Sequence, residues 1–97
     1  MPRVIPRFRL DVVPLEDAAE KEQGFRWADP EIGRRHRLGG IPENPVGFPN
    51  CPSCSQEMTF YAQLDSIGDN ISIADVGLIY VFLCFECVTA EAVVDSG

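Results

Sequence analysis

The chain has 97 residues, a formal net charge of −7, and 45% apolar against 24% charged residues. That length predicts one small domain, 1–97, and the composition is that of a globular protein rather than a disordered one. The most apolar run, Val76 to Phe85, falls far short of the ~20 residues a membrane-spanning helix needs.

In chain order, Met1 to Pro6 carries two prolines and reads as extended. From Arg7 to Val13 the pattern alternates, with Phe8, Leu10 and Val12 on one side and Arg7, Arg9 and Asp11 on the other. That period predicts a half-buried strand ended by Pro14. Leu15 to Gln23 is made of helix formers with acids in the first turn, and Gly24 can close it, so one short surface helix is expected. Phe25 to Asn50 holds four prolines and four glycines. So much punctuation predicts a shaped loop, anchored by Trp27, Leu38, Ile41 and Phe48. Met58 to Leu64 alternates again, with Met58, Phe60, Ala62 and Leu64 on one face. After a turn at Gly68, Asp69 and Asn70, Val76 to Leu83 is apolar on both faces. A strand of that kind is central, or it lies in a contact with another subunit. Val88 to Val94 makes a last strand. The expected fold is mainly β (a β-rich α+β domain): an antiparallel sheet with a zinc-ribbon-like end and at most one short helix.

The four cysteines are Cys51, Cys54, Cys84 and Cys87, arranged as two C-x-x-C pairs. The segment between the pairs reads as two strands and a turn, which would bring both pairs to one end of a hairpin. Four thiolates at tetrahedral reach suit Zn²⁺ in a closed structural site, with no vacant position for catalysis. Two disulfides are an alternative, but nothing resembling a secretion signal is seen, so a reducing cytoplasmic compartment is expected. A redox C-x-x-C is the other, but neither pair opens a helix after a βαβ pattern. Zinc knuckles often carry Gly just after the second Cys, where φ is positive. Ser55 and Val88 stand there instead, and a β-branched residue is poor at φ > 0, so the second turn is expected to deviate from the usual shape.

Charge divides the chain. Segment 1–37, with the strand, the helix and a basic loop, holds all eight Lys and Arg residues against seven acids, a net of +1. Segment 38–97, the zinc-hairpin half, has no Lys or Arg and eight acids. A Zn(Cys)₄ centre would add a formal charge of about −2. Such a surface repels phosphate backbones and attracts basic partners.

His36-Arg37-Leu38-Gly39-Gly40-Ile41-Pro42 resembles a box of the YwqG-like proteins. Cys51-Pro52-Ser53-Cys54, Met58-Thr59-Phe60, Ala62-Gln63-Leu64-Asp65-Ser66 and the run from Asp75 to Phe82 follow in that family's order. The same order is similar to the programmed-cell-death-2-like proteins, which share the TYPP superfamily. The resemblance spans His36 to Cys87 and is to the C-terminal portion of the longer family members. Glu43-Asn44-Pro45-Val46 departs from the family, which usually carries a Gln after the G-G-x-P box. The resemblance implies a non-enzymatic β-rich fold. Eukaryotic relatives act as chaperones for a ribosomal protein, and an immunity role beside toxins has been proposed for some bacterial ones.

Other candidates carry weaker signals. His36, the sole histidine, has no sequence partner for catalysis and is expected to be structural. Arg34, Arg35 and Arg37 can touch phosphate, but in an acidic protein they more often pair with their own acids. Gly39-Gly40-Ile41-Pro42 lacks the following helix of a phosphate loop, so tight turning explains it. Gln63 and Asp65 are candidates for a groove or, more simply, for turn and edge hydrogen bonds. Asp65, Asp69 and Asp75 do not match the spacing of a calcium loop. The expected function is a non-catalytic, zinc-stabilised protein-binding module, chaperone-like or adaptor, for a basic protein or peptide. The alternatives are an immunity protein neutralising a toxin, and a nucleic-acid-binding zinc ribbon. Contact with a second copy of the chain stays open.

Overall fold

A computed structural model describes residues 3–27, 31–44, 47–74 and 77–96. Pro30, Pro45, Val46, Asp75 and Val76, which figure in the sequence reading, lie outside the described residues. Five strands form one antiparallel sheet: β1 (Phe8–Arg9), β2 (Arg37–Leu38), β3 (Thr59–Asp65), β4 (Leu78–Cys84) and β5 (Thr89–Asp95). Their order in space is their order in sequence, a simple meander. The one helix among the described residues, α1 (Asp17–Glu22), precedes β2. No helix among the described residues is long and apolar enough to cross a membrane.

The weight of the sheet lies in β3, β4 and β5, seven residues each. β4, apolar on both faces, is central, as its pattern predicts. Leu78, Tyr80, Phe82 and Cys84 point to the core face, with Phe60 edge-on to both Tyr80 and Phe82 at centroid distances of 5.9 and 5.7 Å. Phe48 reaches over from the long loop and packs on Phe82 at 5.4 Å. These T-shaped pairs align ring edges with ring faces and add to the burial of apolar area.

Three expectations need correcting. The strand expected from Arg7 to Val13 is only two residues long, and both are exposed. Its alternation has no continuous partner strand to bury against, because β2 offers only Arg37 and Leu38. The long loop is not wholly loop, since it contains β2. Trp27 and Ile41 do not anchor it: they are 59% and 66% exposed, and Trp27 stacks edge-on with Phe25.

The third correction matters most. Met58, Phe60, Ala62 and Leu64 do not share a face. Phe60 pairs with Phe82, but the next paired residue is Ala62, opposite Val81, so a β-bulge sits at Tyr61. A bulge inserts one residue and reverses the facing of everything after it. Gln63 and Asp65 therefore turn to the core face opposite Tyr80 and Leu78, and Ala62 and Leu64 turn away. Gln63 and Asp65 are both buried.

Those two polar side chains organise the approach of the loop. Gln63 Oε1 accepts from Arg37 Nη2 and the Glu43 backbone N–H at 3.0 and 3.1 Å, and Gln63 Nε2 donates to Arg35 O at 2.8 Å. Arg37 also donates to the carbonyls of Gly39 and Ile41. The Gly39-Gly40 turn is thereby fixed over the sheet. Gly39 has φ +74°, and a Cβ there would strike the Pro6 carbonyl oxygen, so glycine is required. Further along, Asn44 N–H donates to Tyr80 Oη, and both Asn44 Nδ2 and Tyr80 Oη donate to Asp95.

Candidate metal centre

The first C-x-x-C turn precedes β3. Its chain ends are clipped by Cys51 N–H donating to Gln56 O and Ser55 N–H donating to Cys51 O, both at 2.8 Å, and by an antiparallel bridge between Asn50 and Glu57. The second C-x-x-C is the hairpin between β4 and β5, where Cys84 pairs with Thr89 across a four-residue turn. Because β3 and β4 are antiparallel, the start of one lies beside the end of the other, and the two turns meet.

All four Sγ atoms lie within 4.8 Å of one another. Cys54 Sγ and Cys84 Sγ are 3.8 Å apart, and none of the four cysteines is in a disulfide. A tetrahedron of sulfurs at about 2.3 Å from a central ion has edges of about 3.8 Å, so the cluster has the size of a four-thiolate metal site. The residues named from sequence, Cys51, Cys54, Cys84 and Cys87, are brought together without exception, and they can hold a metal ion. Cys51 and Cys84 are buried, and Cys54 and Cys87 are partly exposed.

The turn prepares negative charge. The backbone N–H groups of Cys54 and Ser53 lower the Cys51 thiol to about 7, with Ser53 N at 3.4 Å from the sulfur. The Cys87 thiol is pushed up to about 12, chiefly by hydrogen bonds with the sulfurs of Cys51 and Cys54 and then by burial. Four thiols so close cannot all ionise without a cation between them. A dication removes that obstacle, because metal binding releases the thiol protons.

Ser55 has φ +64° and Val88 has φ +52°. The second knuckle therefore does not deviate to spare its valine. It keeps the left-handed turn and bears the strain, with the Val88 side chain 85% exposed. The chain must reverse direction within four residues to deliver Cys87 beside Cys84, and that geometry overrides the preference of a β-branched residue.

The remaining candidates lie elsewhere. Arg35 is bound to Asp65 by two side-chain hydrogen bonds of 2.9 and 2.8 Å, and the Gly33 and Arg35 backbone N–H groups donate to the same carboxylate. Burial would raise the Asp65 carboxyl, but the Arg35 guanidinium and these amides hold it below the usual carboxylate range. Arg37 is engaged by Gln63, Gly39 and Ile41. Two of the three clustered arginines thus serve the fold. His36 is buried, with Nδ1 accepting from the Asp65 backbone N–H at 3.0 Å. Sequence reading missed that Asp65 is the hub for 33–36, because the bulge that turns it inward leaves no trace in the alternation. Comparison of the chain with protein-family models, with curated proteins and with solved structures found no match.

Proposed function

We propose that this chain is a non-catalytic, zinc-stabilised protein-binding module of the YwqG-like kind, chaperone-like or adaptor, for a basic extended segment of a partner protein. The all-thiolate donor set supports zinc, since a closed four-sulfur tetrahedron is the structural zinc arrangement and leaves no position for substrate. Elemental analysis of purified protein should return one zinc per chain; iron, or no metal, would remove this part of the reading.

The observation that carries the binding role is the outer half of the sheet. β5 pairs with β4 and is the last strand of the sheet, so its other edge offers backbone N–H and C=O groups. Edge strands are usually blunted by Lys or Pro, and Thr-Ala-Glu-Ala-Val-Val-Asp has neither. The face away from the core carries Ile79, Val81 and Leu83 opposite Val94, Ala92 and Ala90. The β5 residues of that face are exposed, Val94 at 59%. On the other face of the same edge stands Glu91, opposite Phe82, and Glu86 lies in the turn before β5, with no Lys or Arg anywhere after Arg37. An extended segment with alternating apolar and basic residues fits: backbone pairing gives affinity, alternate side chains give selectivity, and charge gives fast association.

Titration calorimetry with a peptide of alternating Val and Lys tests this. Binding should weaken steeply with added salt, and Glu91→Lys should weaken it further. Equal binding of a Val and Glu peptide, or none of the Val and Lys peptide at low salt, would refute the reading. The nucleic-acid alternative loses support because Arg35 and Arg37 are spent on Asp65 and Gln63.

A further inference from the structure

A cleft of about 840 Å³ lies at the opposite end of the hairpin from the sulfurs. It is bounded by the continuation of β1, by the chain leaving α1 at Gln23 to Phe25, and by the turn from Glu31 to Arg34. Apolar walls come from Leu10, Phe25, Ile32 and Ile67. His36 also lines it, although that residue is only 6% exposed. Its Nδ1 accepts the Asp65 backbone N–H, so the proton of the neutral ring sits on Nε2. Among the described residues, His36 Nε2 is the one buried side-chain polar atom with no hydrogen-bond partner. Buried donors are nearly always satisfied, and an exception calls for an acceptor that the chain itself does not supply.

The charges at the cleft narrow the choice. Arg9 is paired with Asp11 at 3.1 Å, and the Glu31 carboxylate, which also lines the cleft, is engaged in an interaction of its own. Arg34, which is exposed, takes part in none of the ion pairs among the described residues. A donor on a histidine that lines the cleft, the apolar side chains of Leu10, Phe25, Ile32 and Ile67, and one cation at the margin suit a ligand with an acceptor oxygen, a negative charge and an apolar body.

We propose that this cleft is a binding site for a small organic carboxylate, with an acceptor oxygen on His36 Nε2–H, the apolar body against Phe25 and Ile32, and Arg34 attracting its charge. The proposal is independent of the sulfur cluster and of the β5 edge. Those features lie on other parts of the sheet.

His36 is the sole histidine, so its ring nitrogens give unique signals in a long-range proton–nitrogen correlation spectrum of the zinc-loaded, intact chain. Phenylacetate, phenylacetamide and 2-phenylethylammonium serve as probes. Phenylacetate should move the Nε2 signal saturably while Nδ1 keeps its acceptor signature. Phenylacetamide should do so more weakly, and the ammonium compound should do nothing. Arg34→Ala, at an exposed position, should weaken phenylacetate several-fold and leave phenylacetamide unchanged. Ring signals that stay still at millimolar phenylacetate would overturn the proposal, with water alone answering Nε2. Equal shifts from all three probes would overturn it too, as would an Arg34→Ala variant that binds phenylacetate undiminished.

Discussion

The β3–β4 hairpin is fastened at both ends, by different chemistry. At one end four sulfurs gather around a point between Cys51, Cys54, Cys84 and Cys87. At the other, the Asp65 carboxylate binds Arg35, the amides of Gly33 and Arg35, and the Ser66 N–H. Asp65 stands opposite Leu78, the first residue of β4, and Cys84 is the last. The sulfur end, on the proposed reading, depends on an external ion, whereas the carboxylate end is self-contained. A small domain buries a modest fraction of its surface, so both fasteners weigh heavily against a total stability of about 5–15 kcal/mol.

Removing the metal should have the largest effect. Structural zinc, the proposed occupant, contributes on the order of 10 kcal/mol of apparent binding energy, which would count toward folding. A strong chelator, or Cys51→Ser, should abolish cooperative thermal unfolding, and amide exchange should quicken first at 51–58 and 84–89. A chelated protein that melts as sharply as before would show that the sulfurs do not fasten the sheet.

Cutting the other end should cost less. Asp65→Asn removes the charge that Asp65 sets against the Arg35 guanidinium, whose side chain is 18% exposed. Breaking such a pair costs about 3 kcal/mol or somewhat more. Denaturant unfolding should report that loss with the zinc content unchanged, which separates the two fasteners.

Acid gives a graded version of the same cut. The folded Asp65 carboxyl titrates below its unfolded value, so its contribution is complete above about pH 4 and is lost as pH falls through the lower folded value. Acid also displaces metal from thiolates. The Asp65→Asn protein should therefore keep the part of the acid transition that tracks zinc release and lose the rest.

The smallest effect should be a gain. Val88 holds a left-handed conformation that costs a β-branched residue roughly 1–2 kcal/mol. Val88→Gly should raise stability by about 1 kcal/mol in thermal melts of the zinc form, because the side chain is exposed and packs little. Ser55→Gly should gain less, since serine tolerates that region better than valine.

Much of this molecule is legible from its residues alone. The spacing of the cysteines requires a hairpin between two turns. The double-sided apolar run from Leu78 to Leu83 requires a central strand, and Leu15 to Gly24 requires a short helix. Each is a local signal, carried by neighbouring residues. Which face Gln63 and Asp65 occupy is not local. It depends on one extra residue at Tyr61, inserted where β3 meets β4, and the choice is made by partners distant in sequence, Arg35 and Arg37. The cleft beside His36 is likewise made by four segments that converge only when the sheet is complete. Periodicity reports how a strand would face if nothing interrupted it. A bulge is decided by packing across the sheet, so only the tertiary structure turned those polar residues inward and left one imidazole N–H without a partner.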